Sequence, residues 1–245
     1  MNEDDVLYII IPAYNEEANI AQVISDWYPV VATHNGQGAS RLVVLDDGSK
    51  DHTLSIIKES ALDRPLLIPL TWENHGHGAT VRHGYEFALS QGAQYIFQTD
   101  GDGQTLPDEF EAFWDKRKDF DMVIGWRKGR GDGFGRVVTT KVLRAVLLLT
   151  FHVWVKDANT PFRLMQAEAV ARDLPLIPKD YFLSNVLLSV IFTKKHRRIR
   201  YLPITFRPRQ GGVNSINMKR IIDIGKNAYK DFRQLNRTIN AALKQ

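Results

Sequence analysis

Tyr95-Ile96-Phe97-Gln98-Thr99-Asp100-Gly101-Asp102-Gly103-Gln104 is the stretch on which the reading of this 245-residue chain turns. An apolar run leads into two carboxylates and one amide oxygen at i, i+2 and i+4, with glycine at both intervening positions. Hard divalent cations prefer oxygen ligands, and Mg2+ or Mn2+ commonly takes one or two carboxylates plus substrate phosphates. Glycines let the backbone turn tightly and let a phosphate approach without meeting a Cβ. The same residues also make an ordinary Asp-Gly turn. Taken alone, the stretch leaves a metal-diphosphate site and a plain turn both open.

Working outward, the same arrangement recurs. Val6-Leu7-Tyr8-Ile9-Ile10-Ile11 is a continuous apolar run, as expected of a strand buried on both faces. Pro12 stops it, and Asn15 is expected to cap a helix carrying Ile20, Val23 and Ile24 on one face. Leu42-Val43-Val44-Leu45 reads as a second strand ending in Asp46-Asp47-Gly48-Ser49. Leu66–Leu70 is a weaker third strand, Tyr95–Thr99 the fourth and Met122-Val123-Ile124-Gly125 the fifth, with helical spacing between them. Alternating strands and helices over residues 6–126 predict an α/β fold with a mainly parallel sheet and right-handed crossovers. The Asp/Gly clusters then fall at the carboxyl ends of the strands, where open α/β sheets bind ligands.

After Gly125 the pattern changes. Gly129–Gly135 is a glycine-rich loop, Val137–Val155 and Tyr181–Phe192 read as apolar helices, and Ile199–Phe206 is strand-like. Residues 216–245 read as a basic, weakly amphipathic helix. With 44% hydrophobic and 24% charged residues the chain can build a sizeable core, and disorder is not expected. The absence of cysteine excludes disulfides, thiolate metal sites and a thiol nucleophile. The acidic start, Met1-Asn2-Glu3-Asp4-Asp5, does not read as a signal peptide. No apolar run reaches the length of a membrane span.

Individual motifs carry both functional and structural readings. Asp46, at a strand end, suits hydrogen bonding to a base or ribose, and equally suits a strand-to-helix turn. Asn74-x-Gly-x-Gly precedes a helix whose N-terminus can bind an anion, although its spacing is not that of a phosphate loop. His75, His77 and His83 lack the fixed ligand spacing of a zinc site and read as surface or capping residues. Arg127, Lys128, Arg130 and Arg136, then Arg207 and Arg209, form cationic loops on the presumed ligand edge, suited to phosphate contact or to a solvated face. Nucleic acid is not an expected partner, because aromatic residues are not interleaved with the basic runs.

Together these stretches resemble the family-2 glycosyltransferases, most closely the polyprenyl-phosphate branch typified by dolichol-phosphate mannose synthases. Ile11-Pro12-Ala13-Tyr14-Asn15-Glu16-Glu17 resembles the family's first-strand motif, and Leu45-Asp46-Asp47-Gly48-Ser49-x-Asp51-x-Thr53 its nucleotide-binding motif. Gly76-His77-Gly78-Ala79 with His83-Gly84 is similar to its Gly-rich helix start. Asp100-Gly101-Asp102-Gly103-Gln104 with Pro107 and Glu109 resembles its metal motif. Lys156-Asp157 through Phe162-Arg163, and Arg209-x-Gly-Gly-x-Asn-Ser215, resemble two later elements. Two positions depart from the pattern. Pro161 stands where glycine is usual before Phe-Arg, and Ser184 and Asn185 stand where an acidic residue is expected.

The resemblance implies a GT-A fold in a domain over residues 1–215. Its nucleotide-sugar half would cover 1–126 and its acceptor half 127–215, with the basic helix 216–245 appended. Pro12, Ala13, Tyr14, Glu16, Asp46, Asp47, Gly78 and Asp100 would bind the nucleotide. Asp100, Asp102 and Gln104 would hold Mg2+ or Mn2+ against the donor diphosphate. Arg127, Arg136 and Thr140 would meet an acceptor phosphate, and Arg209 and Ser215 would close over the diphosphate. Asp102, Asp157, Arg127 and Arg136 are the expected catalytic set.

The implied reaction is an inverting transfer from a nucleotide-diphosphate sugar to a lipid phosphate, in cell-envelope glycan synthesis. The chain is expected in the cytoplasm, with peripheral contact at the inner face of the membrane. A lipid phosphate needs no general base. Transfer to a sugar hydroxyl does need one, and Asp157 is then the first choice, with a structural role at a turn as its counter-reading. The rival classes are a nucleotidyltransferase, which would release pyrophosphate, and an inactive binding protein on the same fold.

Overall fold

The computed structural model describes residues 5–127, 134–208 and 231–241. Its centre is β1 (Leu7–Ala13), buried along its whole length. It pairs in parallel with β2 (Arg41–Asp46) on one side and β4 (Tyr95–Gln98) on the other. β3 (Leu67–Thr71) extends the sheet beyond β2, again in parallel. On the far side β6 (Arg163–Gln166) runs antiparallel to both β4 and β5 (Met122–Arg127), and β7 (Ile199–Ile204) pairs in parallel with β5. The order is therefore β3-β2-β1-β4-β6-β5-β7. The expected mainly parallel sheet is present, and among the described residues β6 is its single reversed strand.

Helices α1 (Ile20–Thr33), α2 (Thr53–Ala61), α3 (His77–Ser90), α4 (Phe110–Trp114), α5 (Phe134–Phe151), α6 (Ala167–Asp173) and α7 (Ser184–Lys194) flank it. The period-2 geometry of a strand explains why β1 has no polar face. Leu7, Ile9 and Ile11 point into one apolar layer with Trp27, Phe97, Phe110 and Phe113. Tyr8 and Ile10 point into the opposite layer with Val81, Tyr85 and the inner face of α7. Alternate residues of one strand thus serve two cores.

Several element boundaries differ from the sequence reading: β1 runs on through Pro12 to Ala13, α5 begins at Phe134 and ends at Phe151, and α7 begins at Ser184. Asn15 is not a helix cap, since α1 begins at Ile20 after Asn19. Asn15 instead adopts φ 53°, and its Oδ1 accepts the Lys50 N–H at 2.9 Å while its own N–H donates to Ser49 Oγ. Asparagine tolerates this left-handed conformation better than most residues. The residue therefore joins the β1 turn to the β2 turn. Among the described residues no helix is long and apolar enough to cross a membrane. Of the segment expected to form a basic C-terminal helix, residues 231–241 are described and are helical, with Phe232 and Ile239 buried in the α7-side core.

Candidate active site

The carboxyl ends of β1 and β4 open onto a cleft of about 370 Å³. One wall is the β1 turn, with Pro12, Ala13, Tyr14 and Glu16. Asp100, Gly101 and Asp102 form the floor beyond β4. Asp47, Asn74, Gly76, His77 and Thr80 make the remaining wall, where the β3 loop runs into α3. The structure thus brings the first-strand, nucleotide and metal motifs to one place.

Each wall is fixed from behind. Glu16 is buried, takes the Asn19 side-chain N–H on its carboxylate at 2.8 Å, and donates its own N–H to Thr53 Oγ1. Asp47 accepts the backbone N–H groups of His75 (2.9 Å) and Gly76 (3.0 Å), one on each carboxylate oxygen. Its carbonyl takes the Asn74 amide at 2.8 Å. Gly48, at φ 67°, lets the chain lie against Asn74, because a Cβ there would meet the Asn74 nitrogen at 2.9 Å. The Asp-Asp-Gly-Ser turn therefore clamps the loop that leads into α3.

Two expected nucleotide residues, Asp46 and Gly78, and the expected metal ligand Gln104 lie outside the cleft lining. Asp46 is 1% exposed and does not line the cleft. Its carboxylate accepts Ser49 N–H and the Thr71 hydroxyl, tying β2 to β3. Gly78 is also away from the cleft lining. A Cβ on it would fall 2.4 Å from the Tyr181 and Phe182 backbone, so it allows α3 to approach that segment. Gln104 is buried and lies behind the Asp100–Gly103 turn: its Nε2 donates to the Arg207 carbonyl at 2.7 Å, and Arg207 N–H donates back to its carbonyl.

Asp100 has a perturbed carboxyl at the floor of the cleft. Burial pushes its carboxyl up to about 6; the His77 ring opposes this, the Asp102 charge adds to it, and the Gln98 hydrogen bond and Arg127 oppose it. His77 Nε2 lies 3.8 Å from Asp100 Oδ1. Asp102 Oδ1 accepts the Gln104 N–H at 3.1 Å, closing the turn. Two like charges at the floor of a cleft make a site that favours a cation. Among the described residues there is no group of three or more His, Asp or Glu side chains able to cage a metal. That donor set fits a hard divalent ion completed by donor phosphates and water, and does not fit a protein-only cage.

The raised Asp100 group has a measurable consequence. The folded chain holds a proton that the unfolded chain, with its carboxyl near 3.8, has already released. Stability from this group is therefore greatest at low pH and falls as pH rises from about 4 to about 6. In EDTA buffer, Asp100→Asn is expected to gain melting temperature relative to the parent as pH rises through that window. Parallel pH dependences would contradict it.

Arg127, at the end of β5, grips Asp157 with two hydrogen bonds of 3.0 Å, and Asp157 is 4% exposed. The Phe206 ring lies 5.1 Å from the guanidinium carbon. The two expected catalytic residues are thus one another's partners. Arg136 and Thr140 lie in α5, but their side chains are outside the description. Arg209 and Ser215 lie outside the described residues altogether.

The sequence reading missed what lies beneath the floor. Arg163 is fully buried and donates to the carbonyls of Ala158, Thr160 and Asn185 and to Ser189 Oγ. Burial lowers its pKa, and nearby Tyr85 and Asp157 oppose this. Gln98, Tyr85 and Asn185 complete a polar seam inside the core. The available signal was a polar residue interrupting an apolar run, Gln98 in β4 and Asn185 in α7.

Residues 8–171 match the family described as glycosyl transferase family 2. The polyprenol monophosphomannose synthase of Mycolicibacterium smegmatis is 24% identical over 218 residues, covering 85% of this chain and 80% of that protein. The UDP-N-acetylglucosamine–dolichyl-phosphate N-acetylglucosaminyltransferase of Methanococcus voltae is 33% identical over 189 residues, covering 68% and 72%. Among solved structures, glucosyl-3-phosphoglycerate synthase from Mycobacterium tuberculosis, determined with Mn2+, UDP and glucosyl-3-phosphoglycerate, superposes with a TM-score of 0.68. It is 19% identical, and the match covers 94% of this chain and 80% of that one. The fold is accordingly GT-A, and the chain belongs to glycosyl transferase family 2, a glycosyltransferase akin to enzymes that place sugars on polyprenyl phosphates.

Proposed function

We propose that the protein transfers a sugar, with inversion, from a nucleoside-diphosphate donor to a polyprenyl-phosphate acceptor. The observation that carries this is the single cleft lined by the β1 turn at one wall and by Asp100 and Asp102 at its floor. Residues 1–126 would form the donor half and 127–215 the acceptor half. Pro12, Ala13, Tyr14 and Glu16 would bound the base and ribose. Asp46 and Asp47 would act on the nucleotide by holding the β2 turn and the loop that opens α3, and Gly78 by seating that helix.

Asp100 and Asp102 would hold Mg2+ or Mn2+, with Gln104 bracing the turn and offering Oε1 as a third oxygen. When bound, the cation would neutralise charge on the departing nucleoside diphosphate. Arg127, oriented by Asp157, would face the acceptor phosphate together with Arg136 and Thr140 from α5, and Arg209 and Ser215 would cover the diphosphate. The acceptor oxygen forms its bond to the anomeric carbon as the bond to the donor phosphate breaks, on the opposite face. A phosphate acceptor is already an anion, so no side chain must take a proton. Asp157 suits this role of orienting group better than that of base, since both its oxygens are engaged by Arg127. The M. tuberculosis structural neighbour, solved with Mn2+ and UDP, supports the cation and nucleotide reading, and the two lipid-phosphate transferases support the acceptor.

A donor screen that follows nucleoside diphosphate release, with and without polyprenyl phosphate, tests the proposal. Release that requires the lipid phosphate is expected. Release of pyrophosphate would indicate a nucleotidyltransferase, and release dependent on a sugar hydroxyl would move the acceptor to a glycan.

The acceptor reading also has a surface counterpart. Leu149 is 70% exposed and Trp154 60%, with Leu148 beside them, and the Arg144 guanidinium lies 4.9 Å from the Trp154 ring centre. Apolar side chains flanked by cations suit the interface of an anionic bilayer, and this supports peripheral contact at the membrane. Flotation with anionic liposomes is expected to carry the protein upward, and Leu149→Ser with Trp154→Ser to reduce the bound fraction severalfold. Failure of the parent protein to float would favour a soluble acceptor.

A further inference from the structure

Beneath the cleft floor, three buried side chains make a directional hydrogen-bond chain that ends on Asp100. The Tyr85 hydroxyl donates to Asn185 Oδ1 at 2.8 Å. Asn185 Nδ2 donates to Gln98 Oε1 at 3.0 Å. Gln98 Nε2 donates to Asp100 Oδ1 at 3.0 Å. Tyr85 and Gln98 have no exposed surface, and Asn185 has 4%. Three elements supply these groups: α3, α7 and β4.

The polarity of the chain follows from its end. An ionised carboxylate only accepts hydrogen bonds, so Gln98 must turn its NH2 toward Asp100. Its oxygen then faces Asn185, which must answer with its own NH2. The remaining Asn185 oxygen takes the tyrosine hydroxyl. Each amide is fixed by the next, and only amides satisfy both sides. An acidic residue at 185, which the family resemblance leads one to expect, has no N–H to give Gln98.

We propose that Tyr85, Asn185 and Gln98 are positioning residues that hold Asp100 by Oδ1 and leave its other oxygen for a divalent cation in the cleft. The inference rests on the cation reading of Asp100 and Asp102 given above. Partners of this kind behind a metal ligand typically alter metal affinity 10- to 100-fold when removed. The backbone carbonyl of Asn185 is held separately by the Arg163 guanidinium, at 3.0 Å, so the two functions of this residue can be dissected.

The test is Mn2+ titration of the full chain, without donor, reading free Mn2+ by electron paramagnetic resonance, alongside a melting curve for each protein. Asn185→Asp keeps size and shape and leaves the Arg163 contact to the backbone in place. It is expected to remain folded and to bind Mn2+ about tenfold or more weakly. Gln98→Met, which removes the last donor, is expected to weaken binding by a similar factor. A purely structural seam would lower melting temperature while leaving the Mn2+ affinity of the folded protein unchanged. Asn185→Asp or Gln98→Met binding Mn2+ within twofold of the parent, when folded, overturns the positioning role alone. A parent protein that binds no Mn2+ either alone or with a nucleoside diphosphate present, or binds it equally after Asp102→Ala, overturns the cation reading on which it stands.

Discussion

Asp102→Ala is expected to lower kcat/KM for sugar transfer by about 10³-fold, roughly 4 kcal/mol of transition-state stabilisation. The floor of the cleft offers two carboxylates, and among the described residues no group of three or more His, Asp or Glu side chains comes together to hold a metal. Losing one of them halves the charge that attracts a divalent ion. The fold should survive, because the side chain sits in a half-exposed turn and its bond from the Gln104 N–H is worth only about 1 kcal/mol. Asp102→Asn separates charge from turn geometry. It keeps an oxygen for the Gln104 N–H and lacks the negative charge, so activity should stay near that of the alanine variant while melting temperature returns toward the parent. Steady-state transfer with saturating Mn2+ and with EDTA provides the measurement. An Asp102→Ala protein with full activity, or a parent enzyme indifferent to EDTA, would remove the metal from the mechanism.

The sheet could be read from the sequence because its strands are buried on both faces and so appear as uninterrupted apolar runs. Val6–Ile11, Leu42–Leu45 and Met122–Gly125 are of this kind, and each falls on a strand, although β1 continues through the proline expected to stop it, to Ala13. The floor of the cleft was legible for the same reason: the apolar run Tyr95–Phe97 marks a strand, and Asp100 lies just beyond its end. The roles of Asp46, Gly78 and Gln104 were harder to read. Their residue types suit ligand contact, but which partner a carboxylate or amide takes depends on groups distant in sequence. Asp46 meets Thr71, and Gln104 meets Arg207, 103 residues away. Asn15 looked like a cap because asparagine caps helices and also adopts left-handed turns, and sequence does not distinguish the two uses. The reversed strand β6 is short, four residues, and its direction follows from the chain returning through Arg163 between β4 and β5.

Arg163→Leu is expected to destabilise the protein by about 4 kcal/mol or more, from the loss of several buried hydrogen bonds at roughly 1–3 kcal/mol for each orphaned group. The guanidinium has no exposed surface, and it satisfies three backbone carbonyls: Ala158, Thr160 and Asn185. Leucine would fill part of the space, take both guanidinium bonds from the Thr160 carbonyl, and leave the Ala158 and Asn185 carbonyls to share the Ser189 hydroxyl. A domain of this kind has about 5–15 kcal/mol in all, so the loss is a large share of its stability. The consequence should extend to the site. The turn that Arg163 ties down, Ala158 to Thr160, directly follows Asp157, whose carboxylate holds Arg127 in place. Pro161 stiffens the same turn by fixing its own φ and by restricting the backbone of Thr160 before it. Arg163→Lys keeps the charge but cannot spread donors over three carbonyls and a hydroxyl, and it should recover little of the loss. Urea unfolding measures both variants. An unfolding free energy within about 0.5 kcal/mol of the parent, on the order of a surface substitution, would mean that water replaces the guanidinium and that the turn around Asp157 is held by Pro161 and its packing alone.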